Sequence, residues 1–285
     1  MKSIKICVAA ITAGVVCIAV MLGILSAAIY AENESGNSFI GLMYHQVLKD
    51  ESRAGKYIIT PNELESDLAY LSENGYVSVL PSQLVKIREQ GGILPEKTVV
   101  ITFDDGYETG LYYVLPLLKK YGMKAVINVV GSYTDEYSRI NEEGKHLSYA
   151  YLTWNEIKTL SDSGYVEIGN HTYDMHSNNG DRNGCARKEN ESDEQYRTVL
   201  YEDVDRLSDK LQQVTGKRPV AFAYPFGSLS EGSAEIIGSA GISVFMTCCE
   251  QPCSMNRNGR IVINRYNRES GRTAQQICEE FNNAF

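Results

Sequence analysis

The sequence predicts an α/β protein with parallel strands, arranged either as a barrel or as an open sheet. Strand-like and helix-like segments alternate along most of the chain, which gives seven or eight βα units. About 250 residues follow an N-terminal apolar run, a length that suits a single α/β barrel. Because no internal repeat or composition break divides this region, we predict one domain over residues 39–285.

Residues 1–31 differ in composition from the rest of the chain. The run Ile6–Ala31 holds 26 consecutive residues without a charge. As a helix it would extend roughly 39 Å, which exceeds the bilayer's hydrocarbon core of about 30 Å. Lysines precede the run and glutamates follow it, so the positive-inside bias predicts a single-pass anchor with the domain outside the cell. The alternative is a signal peptide cleaved after Ala31. We expect residues 32–38 to be a polar linker.

Charge and cysteine content narrow the class of partner. The chain has 27 basic and 36 acidic residues, and its net charge of −9 becomes −11 without Lys2 and Lys5. Such a surface disfavours nucleic acid and favours neutral or cationic substrates. The five cysteines beyond the anchor permit at most two disulfides with one thiol left over. We interpret "CCEQPC" (248–253) as a local disulfide or surface cysteines rather than a metal knuckle.

The elements of the first half carry clear terminal signals. Thr60 is placed as an N-cap, Pro61 as the first helical residue and Gly75 as the stop of the first helix. The predicted segments here are strand 39–45, helix 60–75, strand 76–80, helix 81–92, strand 97–103 and helix 109–122, the last extending through Pro116.

The second half continues the alternation. Thr153 and Glu156 form a capping-box pattern at the start of a helix. The predicted segments are strand 124–130, helix 153–164, strand 165–171, helix 193–216, strand 219–227, helix 230–241, strand 242–248, strand 260–266 and helix 273–285. The irregular polar stretch 177–193 predicts a surface loop.

Four of the predicted strand ends carry residues of unusual chemistry. Barrels and open sheets place their functional groups at the carboxyl ends of strands, so we expect these residues to share one site. They are His45, Asp104 with Asp105, His171 with His176, and the "YPFG" segment from Tyr224 to Gly227.

Asp105, His171 and His176 are the predicted ligands of a metal ion. A carboxylate with two histidines is a common open site that leaves positions for water and substrate. On a helix the five-residue spacing of the histidines would point their rings about 140° apart, so we expect an irregular turn. The structural alternatives are an aspartate that caps a helix and a core histidine bonded to a carbonyl.

Asp104 and His45 are the predicted proton-transfer groups. A cation at the ligands would lower the pKa of nearby water from about 15.7 towards neutrality. Asp104 would then accept a proton as the water attacks a carbonyl carbon, and His45 would protonate the leaving group. The alternative for His45 is a polar loop residue after an edge strand.

The segments "TFDDGY", "GNHTYDMH" and "FAYPFG", in that order, resemble the motifs of the polysaccharide deacetylase family, the NodB-homology or carbohydrate esterase family 4 group. The likeness runs from about Phe39 to the C-terminus. It implies a distorted (β/α)7 TIM-like barrel, here preceded by the N-terminal transmembrane helix. It also implies metal-dependent removal of N-acetyl groups from a GlcNAc-containing polymer.

The resemblance also implies roles for individual residues. Asp104 would be the base, with Asp105 and the two histidines of the second motif as ligands. The backbone N–H of Phe226 would stabilise the oxyanion. Zn²⁺ is the leading metal for this ligand set, and Co²⁺, Ni²⁺, Mn²⁺ and Fe²⁺ are alternatives.

Three features depart from the general family pattern. Many members space the two histidines four apart, carry an arginine where this chain has Ala223, and supply a late "LxxH" histidine that is absent here. These departures resemble the subgroup of exported poly-N-acetylglucosamine deacetylases, in which an early histidine replaces the late one. That likeness implies His45 as the general acid. Arg265, on the last strand, is the residue we predict to orient Asp104 in place of the missing arginine.

The remaining predictions concern the substrate and rival functions. Tyr107, Tyr224 and Trp154 are predicted to line a sugar groove, with a core role as the alternative for Trp154, and His146 is predicted to be solvated. An O-acetyl esterase acting on a sugar polymer and a wall-binding module with a decayed site are the rival functions. Peptidoglycan, poly-GlcNAc and chitooligosaccharides remain open as substrates.

Overall fold

The computed structural model describes residues 37–140, 146–178, 180, 182–255 and 259–283. Strands and helices alternate along it as expected. The strands are β1 (Ser38–Tyr44), β2 (Gln46–Val47), β3 (Ile58–Ile59), β4 (Val77–Ser78), β5 (Thr98–Phe103), β6 (Ala125–Val129), β7 (Val166–Asn170), β8 (Ala221–Ala223), β9 (Val244–Met246), β10 (Cys253–Ser254), β11 (Ile261–Ile263) and β12 (Tyr266–Asn267). The helices are α1 (Pro61–Glu73), α2 (Pro81–Glu89), α3 (Leu115–Tyr121), α4 (Gly131–Tyr137), α5 (Trp154–Asp162), α6 (Asp193–Thr215), α7 (Ser233–Ser239) and α8 (Ala274–Asn282).

The main sheet curls into a nearly closed barrel of parallel strands. Its order is β1, β5, β6, β7, β8, β9 and β11, and each neighbouring pair is parallel. β12 then pairs in parallel with β1. Because only Asn264 and Arg265 separate β11 from β12, the last stretch of chain leaves β9 and joins β1, which closes the sheet. The structure therefore has the α/β barrel-like architecture that the sequence predicts.

Side-chain alternation along β5 separates the barrel interior from its outer layer. Val99, Ile101 and Phe103 pack with side chains of α1 and α3, whereas Val100 packs with side chains of β6, β8 and β9. Successive residues of a strand point to opposite faces. The same alternation carries Thr102 inward, and Asp104, directly after the strand, follows it into the interior.

Closure of the barrel requires a glycine at position 41 of β1. A Cβ atom there would lie 2.3 Å from the carbonyl oxygen of Asn264 and 2.8 Å from Cγ2 of Ile263. No other residue type lets β1 approach the closing segment this closely. Gly41 therefore fixes the distance between the first and last strands of the barrel.

Several elements differ from the sequence prediction in detail. The predicted helix 109–122 is a π-helical turn, Gly110–Val114, followed by α3, and Pro116 lies at the junction, in the first turn of the α-helix. Helix α4 was not predicted because its sequence, "GSYTDEY", has no apolar helical period. The predicted strand 260–266 is divided into β11 and β12 by the turn to the opposite edge.

Of the two alternatives for "CCEQPC", the structure contradicts the local disulfide and confirms surface cysteines at Cys248 and Cys249. All five described cysteines are free thiols. Cys248 and Cys249 are exposed, but Cys253 is buried because β10 pairs antiparallel with β1 and its thiol donates to the Asn264 carbonyl at 3.1 Å. The predicted loop 177–193 has no regular element among its described residues before Asp193, where α6 begins, yet Cys185 within it is fully buried.

The predicted N-terminal anchor, residues 1–31, lies outside the described residues. Across the part of the chain that the structure does describe, no helix combines the length and apolarity needed to cross a bilayer.

Gly41→Ala should destabilise the protein by about 1–3 kcal/mol, because the new methyl group has to displace the backbone of the closing segment. Urea denaturation monitored by circular dichroism measures this effect. Gly55→Ala is the matched control, since a Cβ at Gly55 meets no atom within 4 Å and should change stability by less than about 0.5 kcal/mol. Equal stability of the two variants would show that Gly41 does not set the closure distance.

Candidate active site

The carboxyl ends of the parallel strands surround a cavity of about 610 Å³. This cavity gathers residues from all four of the strand ends that the sequence singles out. The site residues that line it are His45, Asp104, Asp105, His171, His176 and Phe226.

Three non-glycine residues of the described chain have a left-handed backbone, and all three lie at this cavity or beside it. Their φ angles are 72° for Asp105, 73° for Thr172 and 59° for Phe226. Each follows a barrel strand, namely β5, β7 or β8. Such conformations cost of order 1–3 kcal/mol each and persist where the surroundings enforce them. The chain therefore turns sharply at these strand ends to aim the side chains of the site.

Asp105, His171 and His176 converge on one point. Oδ1 of Asp105 lies 3.5 Å from Nε2 of His171 and 3.1 Å from Nε2 of His176, and the three ligand atoms all lie within 4.8 Å of one another. Tetrahedral ligands at 2.0–2.1 Å from a zinc ion would be separated by roughly 3.3 Å. The donor types and spacing therefore fit a divalent metal with three protein ligands.

Neighbouring groups orient both histidine rings. Nδ1 of His171 lies 2.8 Å from the carbonyl oxygen of Ala223, which fixes the ring so that Nε2 faces Asp105. The hydroxyl of Tyr133 lies 3.4 Å from Nδ1 of His176 and donates to its backbone carbonyl at 3.0 Å. Burial lowers the pKa of His171, but the hydrogen bond with Asp105 outweighs it and raises this pKa. The two rings thus present Nε2 to the carboxylate.

Asp104 is buried beside this group and held by two donors. Its Oδ1 accepts hydrogen bonds from Nδ2 of Asn128 at 2.8 Å and from Nη1 of Arg265 at 2.7 Å. Burial opposes ionisation of Asp104, but the charge of Arg265 holds the pKa of this carboxyl well below its ordinary value. Asp104 is therefore an ionised carboxylate inside the barrel.

Arg265 reaches Asp104 from the segment between β11 and β12. Its side chain is 0% exposed, its Nε donates to the carbonyl of Thr247 at 2.9 Å, and its Nη1 also contacts Oγ1 of Thr102 at 3.1 Å. These contacts fix the plane of the guanidinium. The structure thus places Arg265 against Asp104, which is the arrangement that the sequence suggests for a residue replacing the absent arginine at Ala223.

Asn128 is a site residue that the sequence analysis missed. It lies in β6 with its amide in the barrel interior, and a Cβ on Gly169 of the adjacent β7 would lie 2.0 Å from its Oδ1. Gly169 therefore makes room for this amide. A single asparagine within the apolar strand "KAVINVV" is the signal that identifies it.

His45 follows β1 and packs edge-on against Tyr57, with ring centroids 4.8 Å apart. Its Nδ1 is buried and has no hydrogen-bond partner among the described residues. Burial lowers the pKa of His45, whereas the charges of Asp105 and Asp104 act in the opposite direction. The ring therefore lies in a buried site next to two carboxylates, and burial is the larger of the two influences on its pKa.

The residues predicted to contact the sugar groove or the oxyanion divide into two groups. Tyr107 and Phe226 line the cavity. Phe226 is 48% exposed, and its ring packs on that of His176 with the ring centroids 4.7 Å apart. Tyr224 also lines it, but its side chain is 3% exposed and its hydroxyl lies 3.4 Å from Oγ of Ser233, so it belongs to the wall rather than to an open groove. Trp154 lies elsewhere, since its indole N–H donates to Asp135 at 2.8 Å.

His146 lies away from the cavity and is exposed, as predicted, with its ring stacked on Tyr149. Tyr151, which the sequence analysis did not consider, stacks on Tyr107 at 4.9 Å and contacts Tyr133 at 4.6 Å. Burial, together with the charge of Asp105, raises the pKa of Tyr107 to about 12. These three rings form an aromatic wall beside the ligands.

Comparison with known proteins identifies the same family as the motifs. The family model described as polysaccharide deacetylase matches residues 91–245, which is more than half of the 285-residue chain. The match includes Asp104, Asp105, His171 and His176 but neither His45 nor Arg265. A de-N-acetylase from Aggregatibacter actinomycetemcomitans superposes with a TM-score of 0.73 at 26% identity, over 85% of this chain and 99% of that one. IcaB from Ammonifex degensii gives 0.68 at 26% identity, over 86% and 97%.

Similar sequences include poly-beta-1,6-N-acetyl-D-glucosamine N-deacetylases. The Escherichia coli K12 protein is 27% identical over 231 residues, which cover 74% of this chain and 34% of the relative. The chain thus spans about a third of the length of that relative. The protein of the same name from Staphylococcus aureus MRSA252 is 23% identical over 234 residues, which cover 78% of this chain and 76% of the relative.

Arg265→Gln should lower the free energy of unfolding by about 3–5 kcal/mol, because it leaves the carboxylate of Asp104 buried without a charged partner. Adding Asp104→Asn should restore part of this loss, since the uncompensated charge is then removed. Urea denaturation of the two single variants and the double variant gives the coupling free energy.

Arg272→Gln is the control for loss of an arginine, because Arg272 pairs with Glu250 and Glu280 at the surface and should cost about 1 kcal/mol or less. Strictly additive effects of Arg265→Gln and Asp104→Asn would contradict a coupled buried pair.

Proposed function

The chain belongs to the polysaccharide deacetylase family, and on this premise we propose that it is a metal-dependent N-deacetylase of a GlcNAc-containing polysaccharide. The observation that carries the proposal is the convergence of Asp105, His171 and His176 beside the ionised Asp104. These are the groups that hydrolysis of an amide by activated water requires. The similarity to poly-beta-1,6-N-acetyl-D-glucosamine N-deacetylases supports a polymer of the poly-GlcNAc type as substrate.

Asp105, His171 and His176 would hold the metal, and Zn²⁺ is the first choice for a carboxylate with two imidazoles. When bound, the ion supplies Lewis acidity that polarises a carbonyl oxygen and acidifies water. The protein's own contribution is orientation. The Ala223 carbonyl and the Tyr133 hydroxyl set the two imidazole rings, and the left-handed turn at Asp105 brings its carboxylate to them.

Asp104 is the proposed general base. The guanidinium of Arg265 keeps it ionised, so it is able to accept a proton across the whole physiological pH range. Both Asn128 and Arg265 donate to Oδ1. We assign proton acceptance from the attacking water to the other oxygen, Oδ2. Fixing Oδ1 with two donors orients Oδ2 without consuming it.

His45 is the proposed proton donor to the leaving amine. It lines the same cavity as Asp104 and Asp105, whose charges favour its protonated form. Burial is the larger influence and lowers its pKa, so the protonated fraction falls as the pH rises above that value. We expect the acid step to be supported best on the acidic side of neutrality.

The remaining assignments concern the substrate and the location of the enzyme. The backbone N–H of Phe226 is proposed to bind the developing oxyanion, and its half-exposed ring, with Tyr107, to contact the sugar. The uncharged run Ile6–Ala31 supports a membrane anchor with the catalytic domain outside the cell.

Acetate release tests the proposed function directly. The purified protein loaded with Zn²⁺ should release acetate from poly-β-1,6-GlcNAc, with peptidoglycan, chitooligosaccharides and O-acetylated xylan as parallel substrates. Asp105→Ala should lose both zinc and activity. Asp104→Asn should keep zinc, measured by elemental analysis, but lose turnover by about 10²–10⁴-fold. Release only from xylan would make the protein an esterase, and release from none would leave a binding module.

His45→Gln should lower kcat by about 10²–10⁴-fold at unchanged zinc stoichiometry, because it removes the proton donor. The pH dependence provides a second readout. In the wild type kcat should fall as the pH rises through the lowered pKa of His45, since an acid acts only when protonated, whereas the variant should lack this limb. A normal rate in the variant would mean that the leaving amine takes its proton from another group.

A further inference from the structure

The segment between His171 and His176 has one more residue than the common family spacing, and its backbone needs support. Thr172 is left-handed, with φ of 73°. The N–H of Thr172 donates to Oδ1 of Asn170 at 2.8 Å, and that of Met175 donates to Oγ1 of Thr172 at 3.2 Å. These local bonds leave the N–H groups of Tyr173 and Asp174 to be satisfied from outside the segment.

A single carboxylate satisfies both of them. Oδ1 of Asp203 accepts the N–H of Tyr173 at 2.7 Å, and Oδ2 accepts the N–H of Asp174 at 2.8 Å. Asp203 lies in helix α6 and uses both of its oxygens on two consecutive amides. An amide side chain has only one such acceptor, so Asp203 is suited to this contact in a way that Asn is not.

The carbonyl groups of the same segment are held from the opposite side. The N–H of Gly131 donates to the Thr172 carbonyl at 3.1 Å, and that of Ser132 donates to the Tyr173 carbonyl at 2.7 Å. Helix α6 also fixes the residue before His171, because the amide of Asn170 donates to the Val204 carbonyl at 2.9 Å. The segment is therefore clamped between α6 and the start of α4.

We propose that Asp203 is a positioning residue of the metal site, which holds the segment between His171 and His176 in the conformation that lets both rings share one ion. The hydrogen bonds of Asp203 go to the backbone of residues 173 and 174 rather than to either histidine, and it acts through that backbone. This assignment rests on the proposed role of the two histidines as metal ligands. It explains how the longer spacing is compatible with two converging rings.

Zinc affinity provides a test that does not depend on catalysis. The dissociation constant for Zn²⁺ is measured by competition with a chromophoric chelator at pH 8, because burial raises the pKa of Asp203 to about 6 and the carboxylate is ionised there. Asp203→Asn should weaken zinc binding by about 10–100-fold, the usual effect of removing a group that supports a ligand. Hydrogen exchange of the backbone amides of Tyr173 and Asp174 should become faster in this variant.

Glu202→Gln is the matched control, because Glu202 is the exposed neighbour of Asp203 on the same helix, and it should bind zinc as the wild type does. Acetate release by Asp203→Asn should recover at saturating zinc, which loss of a catalytic group would not allow. A wild-type dissociation constant in Asp203→Asn overturns the proposal. If that variant does not fold, a wild-type constant in Asp203→Glu, which displaces the carboxylate by one methylene, overturns it instead.

Zinc binding by the wild type and by Asp105→Ala separates the metal site itself from the role of Asp203. If wild-type protein binds no Zn²⁺ at the site, the metal assignment itself is wrong and Asp203 has no ion to position. If the wild type binds zinc and Asp105→Ala does not, the site is real, and the behaviour of Asp203→Asn decides the role of Asp203 alone.

Discussion

The buried pair between Arg265 and Asp104 connects the closure of the barrel to its chemistry. Arg265 lies in the short connection between β11, which pairs with β9, and β12, which pairs with β1. Its guanidinium is completely buried and donates to the carbonyl of Thr247 on one side and to Asp104 on the other. Moving two charges out of water is costly unless each is closely paired. The pairing of β12 with β1 can therefore form only in the register that brings this arginine to this carboxylate. The same contact keeps the carboxylate ionised.

Left-handed turns at three strand ends redirect the chain, so that side chains from a regular barrel form an irregular site. Residues of a strand alternate between two faces, so a strand alone cannot aim consecutive side chains at one point. Asp105, Thr172 and Phe226 escape this limit because their positive φ angles redirect the chain directly after β5, β7 and β8. The strain is balanced by specific contacts, such as the bonds that Asp203 and Asn170 make around Thr172. The rigidity of the site therefore comes from the layer of residues behind it.

Local sequence patterns were sufficient to predict most elements of the fold and the residues at their ends. Caps such as Thr60 and Thr153 start helices where the structure has them, and strand ends gave His45, Asp104 and His171 as neighbours. The patterns could not predict which residues contact one another when they are far apart in the sequence. Asp203 lacks any local motif, and Asn128 is marked only as a polar residue in an apolar strand. Their roles follow from the backbone or the carboxylate that they contact in the folded chain.

Arg265 is another residue whose contact could not be predicted from local sequence patterns alone. Its place on the last strand was visible in the sequence, but contact with Asp104 depends on the split between β11 and β12, which no local signal marks. Both Arg265 and His45 lie outside residues 91–245, the region that the family model matches. Arg265 and His45 thus come from segments next to the first and last strands, which meet only when the barrel closes.

The two adjacent aspartates are compatible because their surroundings compensate them separately. Asp104 continues the inward face of β5, and its negative charge is paired with Arg265, whereas Asp105 turns towards the two histidines. Gly106 completes this division: its own φ is 73°, and a Cβ there would lie 3.2 Å from the Cα of Val129 on β6. Two consecutive left-handed residues, the second without a side chain, turn the chain away before it meets β6. Gly106 therefore helps to give the two aspartates different neighbours.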